Sequence, residues 1–183
     1  MASGQKKRCF ITLDLDNNAV SCLQDVQARL WKAGLFEGKF TERENIHLTL
    51  KFLGEIDADQ IRQIRARLSG IRKDGFRGPI RKAGAFSRKD IRIIWMAFDT
   101  DEVRDLQNEI DEALEDVFNK ERRFMGHITI ARVKRCDDKR RLLRLLDDMD
   151  VNIPVRADSF SLMSSELTHD GPRYSLIERY SLE

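Results

Sequence analysis

The sequence has no apolar run near the roughly 18 residues that a membrane-spanning helix needs. Its polar start, Met1-Ala2-Ser3-Gly4-Gln5-Lys6-Lys7-Arg8, lacks the apolar stretch of a secretory signal. Cysteine is scarce. Cys9, Cys22 and Cys136 are odd in number and far apart, with no Cys-x-x-Cys, which excludes a disulfide scaffold or a zinc ribbon and suits a reducing cytoplasm, the compartment expected. Net charge is almost absent: 33 basic against 31 acidic residues leave a formal +2. A protein held along a polyanion by bulk charge would be far more basic. No low-complexity linker divides the 183 residues, so one domain over 1–183 is expected. At 41% hydrophobic and 35% charged, the chain can build a core and lacks the composition of a disordered one. Arginine outnumbers lysine 22 to 11; this suits phosphate recognition, although ion pairs on helix surfaces are the commoner use.

Hydrophobic periodicity divides the chain into alternating strands and helices. Arg8 to Asp16 is β-branched and alternating, a strand. Asn17 or Asn18 is the expected cap of a helix to about Ala33, with Gly34 ending it. A short strand follows at Gly38 to Thr41, then a strong one at Asn45 to Ile56. The second helix starts at Asp57, and Gly70, Gly75 and Gly78-Pro79 break the pattern after it. Ile80 to Phe86 and Ile91 to Asp99 read as a strand pair around a turn at Ser87-Arg88-Lys89-Asp90. Asp101 to about Asn119 is a third helix, with Val103, Leu106, Ile110, Leu114 and Val117 as its apolar stripe. His127 to Val133 is a strand, Asp137 caps a fourth helix, and strands at about Arg156 to Ser164 and Tyr174 to Leu182 close the chain around Gly171-Pro172. Short, hairpin-like connections favour an α+β fold with antiparallel sheets. The order strand, helix, His-x-Thr strand occurs in residues 8–56 and again in 91–133, which suggests two related lobes.

Two of only three histidines share one local pattern, His47-Leu48-Thr49-Leu50 and His127-Ile128-Thr129-Ile130. Threonine is six residues of 183, so two such pairs arise by chance roughly 0.3% of the time. In a strand, residues i and i+2 share a face. His47 with Thr49, and His127 with Thr129, can therefore line an open face while the aliphatic residues between them are buried. If the lobes are related by a pseudo-twofold, the two pairs meet in one cleft. Such a set suits phosphoryl-ester chemistry: one neutral imidazole takes a proton, one imidazolium donates a proton, and the hydroxyls bind phosphate oxygens. A lone His-x-Thr is more often structural, but two in matching contexts are not. A metal site wants three or four ligands in close pairs. These histidines are 80 positions apart with no His-x-His or His-x-x-x-His, so no metal is expected. Cys9 and Cys22 read as core residues rather than nucleophiles.

With these motifs the chain resembles the two-histidine phosphoesterase superfamily, and within it the RNA 2′,3′-cyclic phosphodiesterases of the LigT type, also called 2′-5′ RNA ligases. The resemblance runs through the opening RCFITLDLD, ENIHLTLKFLGEI, GHITIARVKR and the closing LTHDGPRYSLIERYSL. It implies a bilobal, pseudo-twofold α+β fold: two antiparallel sheets, helices packed outside and a central cleft. It implies opening of a terminal 2′,3′-cyclic phosphate to a 2′-phosphate without metal or other cofactor. The expected substrates are RNA ends or small nucleotides, and the expected state is a monomer without membrane contact. Two alternatives stand beside it, ATP-independent 2′-5′ RNA ligation in the same site and an RNA-end-binding module without turnover. By resemblance His47 and His127 are catalytic and Thr49 and Thr129 bind the phosphate. Lys51, at i+4 from His47, falls on the open face by alternation, where it steers a phosphate or is solvated. Arg132 stands where the family carries arginine, yet strict alternation turns it away unless a bulge restores it. Phe40, Phe124 and Arg123 flank the motif strands. Gly126 replaces the family's usual proline and is expected to loosen the approach to the second strand. His169 replaces a proline in the closing turn and is expected to be exposed and non-catalytic.

Overall fold

The computed structural model describes residues 6–87, 89–169 and 171–183. Residues 1–5, Arg88 of the expected turn and Asp170 of the closing motif lie outside the described residues. The strands are β1 (Lys7–Leu13), β2 (Glu37–Phe40), β3 (Leu48–Ile56), β4 (Phe76–Ile80), β5 (Lys82–Phe86), β6 (Ile93–Ala97), β7 (His127–Arg135), β8 (Ile153–Ala157), β9 (Ser159–Thr168) and β10 (Gly171–Ser181). The helices are α1 (Asn17–Ala33), α2 (Ala58–Leu68), α3 (Asp101–Ala113) and α4 (Lys139–Asp147). No helix among the described residues is long and apolar enough to cross a membrane.

Helix ends follow local side-chain chemistry, at some positions shifted from those expected. Asp16, not Asn17 or Asn18, caps α1: its side chain accepts from the Ala19 N–H at 2.9 Å. Gly34 ends α1 at φ 62°, a left-handed conformation that glycine adopts without strain. Asp57 and Gln60 form a reciprocal capping box on α2. Asp138, one residue past Asp137, caps α4. α3 stops at Ala113, six residues short of the expected end.

The order β1-α1-β3-α2-β4 recurs as β6-α3-β7-α4-β8. Strands run β10-β9-β1-β3-β7-β6-β5, with β2 also on β7, and all described pairs are antiparallel. The two expected half-sheets are joined where β3 meets β7, at the single pair Leu48↔Ile128. A separate two-stranded sheet pairs β4 with β8. β4 is not legible in the sequence, where Gly75, Gly78 and Pro79 look like breakers. In a two-stranded sheet each strand is an edge, so Pro79 can face Pro154 without costing an inner hydrogen bond.

Helices cover the aliphatic faces. α1 lies against β7 and β8, α3 against β3 and α2, and α4 against β5. Leu48, Leu50, Ile128 and Ile130, the residues alternating with the two His-Thr pairs, are fully or almost fully buried. Each such side chain contributes about 1.5–3 kcal/mol, enough to hold the opposite face toward the cleft. Gly126 is clamped rather than loose. It donates to Asp99 Oδ1 at 3.0 Å and its carbonyl accepts from the Phe98 N–H at 3.0 Å. A Cβ there would stand 2.2 Å from the Phe98 carbonyl oxygen, so close approach of backbone requires glycine.

Candidate active site

β3 and β7 bring His47, Thr49, His127 and Thr129 to one cavity of about 550 Å³. The two histidines are held alike. His47 Nδ1 lies 2.8 Å from the Asn45 carbonyl and His127 Nδ1 lies 2.9 Å from the Met125 carbonyl, each two residues upstream. A carbonyl only accepts, so Nδ1 carries the proton in each ring and Nε2 is left to exchange one. His47 Nε2 meets Thr49 Oγ1 at 3.1 Å. Asn45 is itself fixed: its side-chain amide donates to Glu42 at 3.1 Å and to the Pro172 carbonyl at 3.3 Å.

Aromatic rings frame both imidazoles. Phe10 and Tyr174 each lie 5.3 Å from His47, centroid to centroid, and Phe86 lies 4.9 Å from His127 edge-on. Burial holds the His47 imidazole below the ordinary histidine range. The charges of His127 and Arg132 push the same way, while the Asn45 carbonyl opposes them.

Each motif strand carries a β-bulge at the same place. In β3, Thr49 pairs with Thr12 and Lys51 with Ile11, leaving Leu50 unpaired. In β7, Thr129 pairs with Trp95 and Ala131 with Ile94, leaving Ile130 unpaired. The extra residue reverses the alternation after it. Arg132, five residues past His127, thus returns to the cleft face and lines the cavity. Phe52, five past His47, does the same.

The same reversal removes Lys51 from the cleft, contrary to the position expected from alternation. Lys51 is 6% exposed. It is ion-paired with Asp111 of α3 and donates to the Asn119 carbonyl at 2.8 Å. Asp111 also accepts from Gln107 at 2.8 Å and from the Glu121 N–H at 2.7 Å. Burial raises the Asp111 pKa, but the bonds from Lys51, Glu121 and Gln107 prevail and hold it below the usual carboxylate range. Buried Gln27 of α1 serves the other bulge, donating to the Ile130 and Thr41 carbonyls at 2.9 Å each. Each bulge is thus braced by a polar side chain from the helix beneath it.

Of the flanking residues, Phe40 lines the cavity and packs on Phe36 and Trp31. Phe124 packs against the core and Arg123 is exposed, and neither lines the cavity. His169 is exposed and lines it. Tyr174, Phe10 and Asn45 were not singled out from sequence. Nothing in their local pattern marks them, because the closing hairpin and the first strand reach the histidines only in the folded chain. Phe52 had a usable signal, since aligning the two motifs sets it opposite Arg132. Among the described residues, no three His, Cys, Asp or Glu side chains cluster as metal ligands.

Residues 13–95 and 99–174 match the family described as LigT like Phosphoesterase. The RNA 2′,3′-cyclic phosphodiesterase of Methanothermobacter thermautotrophicus is 33% identical over 97% of this chain and 100% of its own. The protein of that name from Thermotoga maritima is 34% identical, over 96% of each chain. The crystal structure of apo LigT from Escherichia coli matches with a TM-score of 0.80, over 98% of this chain and 99% of its own, at 23% identity, a likeness of fold.

Proposed function

This chain belongs to the LigT-like phosphoesterase family, and from that premise we propose that it is an RNA 2′,3′-cyclic phosphodiesterase, opening a terminal cyclic phosphate to a 2′-phosphate by two-histidine acid–base catalysis without a metal. The observation that carries this reading is the pair of imidazoles lining one cavity, each with Nδ1 committed to a backbone carbonyl. One neutral imidazole takes a proton from water as the water oxygen bonds to phosphorus. The P–O3′ bond breaks, and the other ring, as imidazolium, protonates O3′. Thr49, Thr129 and Arg132 donate to the phosphate oxygens as charge gathers there, each such bond worth about 1.5–3 kcal/mol.

In this reading residues 1–183 work as one domain of two related lobes, each supplying one His–Thr pair. Because one chain supplies both pairs, a monomer suffices. The free thiols of Cys9, Cys22 and Cys136 support a cytoplasmic location.

The test is turnover of a nucleoside 2′,3′-cyclic phosphate in excess EDTA. The expected product is the 2′-phosphate, and His47→Ala and His127→Ala should each lower kcat by about 10²–10⁴-fold. Undiminished turnover in either variant, or a 3′-phosphate product, overturns the mechanism. Loss in EDTA with recovery on adding a divalent metal overturns its metal-free form.

A further inference from the structure

The cavity does not end at the two histidines. Strand pairing sets Phe52, Phe10, Met163 and Leu176 in one row across β3, β1, β9 and β10. Paired residues share a face, and Phe52 and Phe10 place this row on the cleft side. Large apolar side chains on a sheet are ordinarily covered, yet Phe52 is 72% exposed and Leu176 52%. The next cleft-facing residue of β1 is Arg8, about 6.7 Å along the strand from Phe10. It is exposed and lines the cavity with Tyr174. Arg8 has no hydrogen-bond or ion-pair partner among the described residues.

The chemistry is that of a single-stranded nucleic-acid track, an aromatic and apolar row for a base beside a cation for a phosphate. The Phe10 ring lies 5.3 Å from His47, and the Phe52 ring lies 6.3 Å from that of Phe10. The reacting nucleoside takes the space beside Phe10 and Tyr174, and the base of the next nucleotide falls on Phe52.

Resting on the phosphodiesterase reading above, we propose that this row and Arg8 form a subsite for the nucleotide 5′ to the reacting end. Its base lies on Phe52, and the phosphate on its far, 5′ side lies on Arg8, which stands beyond Phe10 from the histidines. The substrate class is then an RNA strand with a cyclic phosphate end, and a mononucleotide leaves half of the cleft unused.

The experiment compares a nucleoside 2′,3′-cyclic phosphate with an RNA trinucleotide ending in the same group. The wild-type protein should favour the trinucleotide in kcat/KM. Phe52→Ser should raise the trinucleotide KM by about 5- to 160-fold, the worth of a stacked base, and leave the mononucleotide within twofold. Arg8→Gln should flatten the slope of log kcat/KM against log salt by about 0.7 for the trinucleotide only, as one lost phosphate contact does on a single strand. Equal losses on both substrates would place these residues on the reacting nucleotide and overturn the proposal. So would no loss on either, or a wild type indifferent to length, with the row then serving a protein partner or a second copy. Mononucleotide turnover with unaffected variants sinks this subsite alone, whereas failure to open either substrate sinks the phosphodiesterase reading with it.

Discussion

Replacing Lys51 by methionine tests whether the bulge in β3 sets the face of the residues after it. The change keeps length and removes the charge. In the fold described, Lys51 and Asp111 have side chains 4% exposed each. Lys51→Met leaves a buried carboxylate that retains Gln107 and the Glu121 N–H but loses its cation, and it strips the Asn119 carbonyl of its donor. Removing one partner of a buried pair costs about 3–5 kcal/mol. That scale agrees with about 4 kcal/mol for unit charges 4 Å apart at an effective dielectric of 20. Urea unfolding at pH 7 should show the loss as a lower midpoint at unchanged slope. Lys51→Met with Asp111→Asn should recover about half of it, because asparagine still accepts from Gln107 and Glu121 without a stranded charge.

Acidity should narrow the gap between wild type and variant. The Asp111 pKa is depressed in the folded protein, so its contribution is full above the ordinary carboxylate range and fades as pH falls through the folded value. Meanwhile kcat/KM of folded Lys51→Met should stay within a few-fold of wild type, because Lys51 does not reach the cleft. A stability loss under about 1 kcal/mol, with a large rise in KM, would refute the reasoning and return Lys51 to the phosphate.

Two further outcomes are expected. Followed by NMR, the His47 imidazole should titrate below the ordinary value of 6.5, and Arg132→Ala should move it upward, since a nearby cation disfavours the protonated ring; an unmoved or falling value contradicts the geometry. Gln27→Leu should cost about 1–3 kcal/mol in chemical denaturation, because the Thr41 carbonyl loses its donor while the Ile130 carbonyl keeps the Thr41 N–H, and a cost near zero would show that Gln27 does not brace the bulge in β7.

What could be read from the chain followed its local periods. The four helices and the strands β1, β2, β3, β5, β6, β7, β9 and β10 all answer to spacing that a short window contains. The pairing of histidine with threonine was legible because i and i+2 share a face wherever a strand stays regular. The fates of Lys51 and Arg132 were not, because a bulge depends on which strand lies alongside and on a distant helix side chain, Asp111 meeting the Lys51 ammonium in β3 and Gln27 meeting the Ile130 carbonyl in β7. Gln27 stands 103 positions from the carbonyl it meets in β7, and Asp111 stands 60 from Lys51. Gly126 is illegible in the sequence for a similar reason. Its freedom looked like slack in the sequence, while the folded chain needs its missing side chain to bring two backbones together.

The order of the strands also sets an order of birth. β1 emerges first in synthesis, yet its second neighbour is β9, and Thr12 bonds to the carbonyl of Ser161, 149 positions later. Until then β1 has at most one partner and an open edge, the sort of surface that invites wrong pairing. The histidine on the adjacent strand waits longer still. The carbonyl that steadies Asn45 comes from Pro172, and the ring that leans on His47 comes from Tyr174. The half of the cleft encoded near the start is therefore finished by residues near the end, and a growing chain on the ribosome carries its first histidine with the contacts of Phe10, Asn45 and Thr49 alone until the closing hairpin has been made.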